Sequence, residues 1–165
     1  MRRSIRSLVG RRVAAALAVL LLGTAVAAGA QDRSALPGGP QIDLQTERKL
    51  AFAEGHHDLA VLLIKKGEID KGVAHARAIL QLRLGGEFEK LWVQSLSIIC
   101  ERLAEVRRFD AGQVLLDEAL KAAEQNVNRV KILRNKARLY VLAGDNDRAI
   151  ESWSRALEIE SPRNR

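Results

Sequence analysis

Three segments of this chain carry the same residue pattern at nearly regular spacing. They align on Asp70, Asp110 and Asp147, which lie 40 and 37 residues apart. Each segment has a small residue two positions after the aspartate, a leucine ten positions after it and a small residue ten positions before it: Gly72, Gly112 and Ala149; Leu80, Leu120 and Leu157; Ala60, Cys100 and Ala137. Amphipathic helices of unrelated spacing do not produce this agreement, so the pattern predicts a helical hairpin repeated three times.

The repeated segments lie in a stretch that has no proline between Pro40 and Pro162. This stretch is rich in Ala, Leu, Glu, Lys and Arg, which favour helices, and it has no alternating β-branched pattern of the kind found in strands. We therefore predict an all-α fold without a sheet, whose helices span roughly 43–65, 69–83, 87–106, 110–125, 127–142 and 147–160. One hairpin cannot bury its own apolar face, so the three are expected to stack around one core.

Residues 130–162 resemble a unit of the tetratricopeptide repeat (TPR) family. The resemblance is carried by small, aromatic, turn and terminating residues: Ala137, Tyr140, Gly144, Asp145, Ala149, Trp153, Ala156, Leu157 and Pro162. The two upstream units are degenerate, because Arg107 and Arg108 replace the Gly-Asp turn and Ile79 replaces a small residue. The resemblance implies an α-α superhelix of three antiparallel hairpins with Trp153 in its core.

The first thirty residues have the layout of a secretory signal peptide. Five arginines precede an apolar run from Val13 to Ala28, and small residues lead to a cleavage position after Ala30. An uncleaved inner-membrane anchor is the alternative, because the run is almost long enough to span a bilayer. The predicted organisation is a signal peptide at 1–30, a Pro/Gly linker at 31–41, a repeat domain at 42–162 and a tail at 163–165. This predicts a periplasmic or secreted bacterial protein.

The charge of the chain argues against nucleic-acid binding. The formal net charge is +7, from 27 basic and 20 acidic residues. Removal of residues 1–30 would remove five arginines and no acidic residue, which leaves a net charge of +2. Within 42–160 the count is 19 basic against 19 acidic residues, so the predicted repeat domain is formally neutral. The basic balance belongs mainly to the targeting segment.

The resemblance implies that a partner binds on the concave face formed by the first helix of each hairpin. Lys131, Arg134 and Arg138 recur at i, i+3 and i+7 on one such helix, where a basic stripe could hold a carboxylate or an acidic segment. The candidate partner-binding residues are Lys131, Arg134, Arg138, Glu101, Glu105 and His57. The alternative is an ordinary solvated face in which Glu101 and Glu105 pair with the stripe.

Catalytic and metal-binding interpretations have little support in the residue pattern. A metal site would bring His57 and His75 together with Glu54 or Asp58, but no pair of histidines stands at i, i+4. Cys100 aligns with Ala60 and Ala137, which favours packing over reactivity. We expect no cofactor, no metal and no catalytic residue, and hence no enzyme.

These observations favour an exported, non-catalytic protein–protein interaction scaffold that holds a protein or peptide partner. The alternative is a structural subunit that self-assembles or docks into an envelope complex, because the outer face of the last repeat would need covering. A membrane contact is expected only through the N-terminal segment, if that segment is not cleaved.

Overall fold

The structure is a computed structural model that describes residues 43–161, and these residues form six α-helices and one short 3₁₀ turn. The helices are α1 Leu44–Lys65, α2 Ile69–Gln81, α3 Glu89–Glu105, α4 Phe109–Ala122, α5 Asn126–Ala143 and α6 Asn146–Glu160, with the 3₁₀ turn Gly86–Phe88 before α3. The described residues contain no strand. The prediction of six helices and an all-α fold is therefore confirmed for this part of the chain. The predicted signal peptide, the whole of the predicted linker, Pro162 and the tail lie outside the described residues.

The two helices of each hairpin (α1–α2, α3–α4 and α5–α6) are joined by the same tight turn. The turns centre on Gly67, Arg107 and Gly144, whose φ angles of 85°, 59° and 82° are all left-handed. In each turn the next residue donates its N–H to a carbonyl five positions earlier: Glu68 to Leu63, Arg108 to Leu103 and Asp145 to Tyr140. This Schellman geometry ends one helix and reverses the chain within two or three residues, so the two helices of each hairpin run antiparallel.

Small residues hold the helices of each hairpin close together. Ala60, Cys100 and Ala137 are buried, as the repeat pattern predicts. Ala60 lies against Gly72, and Cys100 lies against Gly112, on the second helix of the pair. A Cβ on Gly72 would lie 2.7 Å from Cγ1 of Ile64 and 3.0 Å from the carbonyl oxygen of Ala60. A side chain at this position would therefore force the two backbones apart.

The hairpins stack so that their helices form two layers. Helices α1, α3 and α5 lie side by side in one row, and α2 and α4 lie side by side behind it, whereas α6 packs against α5. The core between the layers is aliphatic, and its largest fully buried apolar side chains are Ile64, Ile79, Leu96, Ile99, Leu103, Leu115, Leu116, Ile132 and Leu133. The core is continuous through all three hairpins, as expected for stacked repeats.

The implied core position of Trp153 is wrong. This side chain keeps 36% of its surface exposed, and Leu157, four residues later on the same helix face, keeps 62%. The equivalent residues of α4, Leu116 and Leu120, are buried. The difference arises because no described helix packs on the outer side of α6.

Candidate functional site

The exposed side of the row α1, α3 and α5 carries the residues singled out in the sequence. We call this surface the row face. At equivalent positions of the three helices it presents Glu54, Gln94 and Lys131, and two turns further on Val61, Glu101 and Arg138. Glu54, Gln94, Glu101 and Arg138 are exposed, whereas Lys131 and Val61 are half-buried. The row face therefore changes from acidic on α1 and α3 to basic on α5.

Arg134 is held differently from the other two residues of the basic stripe. One of its terminal nitrogens donates to Oε2 of Glu160 on α6, over 2.7 Å. Its Nε is buried and has no hydrogen-bond partner in the described chain. Lys131 and Arg138 form no ion pair with any residue of 43–161. These two cations therefore remain available, while Arg134 fastens α6 to α5.

The acidic candidates on α3 do not neutralise the basic stripe. Glu105 forms its ion pair with Arg102, one turn earlier on the same helix. Glu101 is exposed and has no ion pair within the described residues. Because neither carboxylate reaches α5, the charges of the row face remain open to solvent.

Polar side chains join the three helices of the row. Nδ1 of His57 on α1 lies 2.8 Å from the hydroxyl oxygen of Ser95 on α3. The side-chain amide of Asn135 on α5 donates to the hydroxyl of Ser97 on α3. Partial burial lowers the pKa of His57, and this effect outweighs the negative charges of Asp58 and Glu54, which raise it. His57 is thus a neutral link between two hairpins at neutral pH, and its polar contact is already used inside the fold.

The histidine pair differs from the one considered for a metal site. His75 on α2 meets His56, not His57, and their Nδ1 atoms lie 2.8 Å apart. One of these nitrogens must therefore donate a proton to the other. No group of three or more metal-ligating side chains occurs in residues 43–161.

Cys100 lies in the core of the second hairpin. Its Sγ is 3.7 Å from the carbonyl oxygen of Gly112, and the side chain is 2% exposed. Burial, together with the negative charge of Glu101, raises the pKa of the thiol to about 12. Since the thiolate is the nucleophile, this residue packs the hairpin and is not poised for chemistry at neutral pH.

Several structural residues were not identified from the sequence. Two side-chain links between neighbouring helices of the row join residues 38 positions apart, and the bidentate Arg77–Glu118 pair joins α2 to α4 across 41 positions. Polar partners separated by about one repeat length are the signal that could have revealed these links. Glu89 has no such signal. It is buried, and its carboxylate accepts from the backbone N–H groups of Glu124 and Gln125.

No family model, curated protein or solved structure matches the chain. Within the described range, no helix is both long enough and apolar enough to span a bilayer.

Proposed function

We propose that the chain is an exported, non-catalytic scaffold of the TPR type that holds a protein or peptide on the row face. The repeated hairpin supports this assignment. Three turns with the same hydrogen bonds recur at the 40- and 37-residue spacing of the sequence pattern. Small residues are buried at equivalent positions of each hairpin. A superhelix of three such units would present the row face as its concave surface.

The observation that carries the proposal is the pair of uncommitted cations on α5. Lys131 and Arg138 stand two turns apart on the same helix side, without an ion pair inside the described chain. Charged side chains that the fold does not use are available for recognition, and a guanidinium can bind a carboxylate through two hydrogen bonds. The partner is therefore proposed to place a carboxylate or an acidic segment over α5.

The rest of the row face suits an extended, mixed-charge partner. The acidic residues Glu54 and Glu101 lie on the neighbouring helices and would favour basic residues further along the bound segment. The links through Ser95 and Ser97 hold the helices in fixed positions. A rigid surface of this kind loses little entropy when it binds.

Export is proposed from the sequence of residues 1–30. Five arginines, an apolar run and small residues before Gln31 support a cleavable signal peptide and a periplasmic or secreted scaffold. An uncleaved inner-membrane anchor is the alternative. The N-terminal sequence of the purified protein would distinguish the two alternatives. A chain that begins at Gln31 would support a cleaved signal peptide, whereas a chain that keeps residues 1–30 would contradict cleavage.

Site-specific crosslinking in native cells tests the binding proposal. A photo-crosslinking amino acid replaces Gln94 at the centre of the row face, and in a parallel strain it replaces Ala74, which is exposed on α2 in the other layer. We expect a discrete crosslinked product from position 94 only. The double variant Lys131→Glu/Arg138→Glu should abolish it, whereas Lys121→Glu, which reverses an exposed charge on α4, should not. An equal product from position 74, or a product unaffected by the double variant, would contradict the proposal.

A further inference from the structure

Two apolar faces remain exposed at opposite ends of the described stack. The tail face lies on α6 and consists of Trp153 and Leu157, flanked by Ile150, which is 63% exposed. The head face lies on α1 and consists of Phe52, Leu59 and Leu62, which are 64%, 46% and 55% exposed. The spacings of i, i+7 and i+10 place the three head residues on one side of the helix. Exposed apolar side chains grouped in this way mark interaction surfaces more often than scattered ones do.

The head-face residues have six equivalents in the later hairpins. Three of these are buried apolar side chains, and the other three are half-buried cations, Arg102, Arg129 and Lys136. The three equivalent turns define the alignment, so Phe52 and Leu59 of α1 correspond to Trp92 and Ile99 of α3. Both of these α3 side chains are buried. Leu62 corresponds to Leu139 of α5, which is also buried and whose Cδ1 would lie 2.9 Å from a Cβ on Gly112 of the preceding hairpin. At the second internal junction, Leu139 and Lys136, the equivalents of Leu62 and Leu59, thus contact the hairpin before them.

The positions of the tail face are buried in the earlier hairpins. Trp153 corresponds to Leu116 of α4 and Ala76 of α2, which are 1% and 0% exposed. Leu157 corresponds to Leu120 of α4, which is 9% exposed, and to Leu80 of α2, which is half-buried and packs against the core. Helices α2 and α4 are followed by another hairpin, whereas α6 is the last helix described. The side of a hairpin that carries the tail-type positions is therefore covered wherever another hairpin follows.

We propose that two copies of the chain stack head to tail, with the tail face of one copy packed on the head face of the next. This contact would continue the stacking of the hairpins from one copy to the next. Each copy carries a head face and a tail face, and both faces stand at the repeat positions that lie between neighbouring hairpins inside the stack. The formally neutral repeat domain creates little long-range repulsion between copies. The contact joins two different surfaces, so it leaves a free head and a free tail and permits further growth. It goes beyond the scaffold proposal, since it uses the ends of the stack and not the row face.

Mixing two complementary variants tests this inference. Leu59→Glu places a charge in the head face, and Leu157→Glu places one in the tail face. Val114→Glu is the matched control, because this 48% exposed side chain lies on the middle hairpin. Each full chain is purified as its cell produces it, circular dichroism verifies its helix content, and light scattering or sedimentation gives its mass over a range of concentrations.

For the native chain and for the Val114→Glu control we expect a weight-average mass that rises with concentration past twice that of a monomer. Each of the other two variants alone should remain monomeric. Their equimolar mixture should reach twice the monomer mass and stop there, because it holds one intact head and one intact tail. A native chain that stays monomeric overturns the inference, as does association that survives both variants. A third result also overturns it: one variant dimerises by itself, and the mixture forms no dimer between the two variants. That result would indicate a symmetric contact in which one face pairs with itself.

Discussion

Replacement of Glu89 by Gln should destabilise the fold at the connection between the second and third hairpins. The side chain is 2% exposed, and its two carboxylate oxygens accept from the N–H groups of Glu124 and Gln125 over 3.1 Å each. A hydrogen bond to a charged acceptor contributes about 1.5–3 kcal/mol, whereas a neutral one contributes about 1 kcal/mol. Gln keeps one acceptor oxygen and turns a donor NH₂ toward the second N–H group.

From these contacts we expect Glu89→Gln to lower the free energy of unfolding by about 2–3 kcal/mol. For a chain of 165 residues this corresponds to a fall in Tm of roughly 5–10 °C. Glu89→Ala should cost more, because it leaves both N–H groups without an acceptor and opens a cavity. The measurement is urea unfolding followed by circular dichroism, together with a thermal scan.

The matched control for this experiment is Glu87→Gln. It removes the same charge two residues earlier, from an exposed side chain in the 3₁₀ turn. Loss of a negative charge near the start of α3 costs about 0.3–1 kcal/mol through the helix dipole. The control should therefore lose no more than this. Equal stability of Glu89→Gln and Glu87→Gln would refute the role assigned to the buried carboxylate.

Three further predictions concern a turn, a histidine and a thiol. Arg107→Gly should raise the free energy of unfolding by about 0.5–1 kcal/mol. Glycine removes the strain of the left-handed backbone at φ 59°, and the greater entropy of the unfolded chain offsets part of this gain. A lower urea midpoint would contradict this. Since the pKa of His57 is lowered from 6.5, the unfolded chain binds the proton more tightly, so stability should fall as the pH drops below about 6.5. A His57→Asn variant should lose stability less steeply across that range, and an unchanged pH slope would refute the assignment. With its pKa raised from 9.0 to about 12, Cys100 should react about a thousandfold more slowly with a disulfide reagent in the folded chain than in urea, where equal rates would contradict its burial.

The hairpins could be predicted from the sequence because their turns and close contacts depend on local residue types. Gly67 and Gly144 adopt the left-handed backbone that glycine favours, and the small residues Ala60 and Ala137 lie where the two helices meet. The turn at Arg107 has the same hydrogen bonds without a glycine. The pattern survives this exception because the spacing of the small and aliphatic residues determines the packing, while the turn costs only a small strain.

The candidate site was less predictable, because ion pairing depends on which helix ends come together. The stripe of Lys131, Arg134 and Arg138 follows from helical spacing, but the partner of Arg134 does not. Glu160 is 26 residues away and reaches Arg134 only because α6 folds back along α5. In the same way, two histidines can be counted in a sequence, but the choice of His56 over His57 as the neighbour of His75 depends on the rotation of α1 against α2.

The polar contacts at the internal junctions explain why a contact between copies should be weaker than the contact between hairpins. The first junction includes His57–Ser95 and Arg77–Glu118, and the second includes Ser97–Asn135 and the Lys136–Asp117 ion pair. These partners add directional bonds to the apolar packing, so each hairpin fits one neighbour in one order. The head and tail faces offer mainly apolar side chains, whose attraction is not directional. The proposed stacking of copies should therefore be reversible and concentration-dependent, while the three hairpins of each copy unfold as one cooperative unit. Two separate unfolding transitions in urea, at concentrations of urea where the copies are still associated, would contradict this. They would show that the internal junctions are no stronger than the contact between copies.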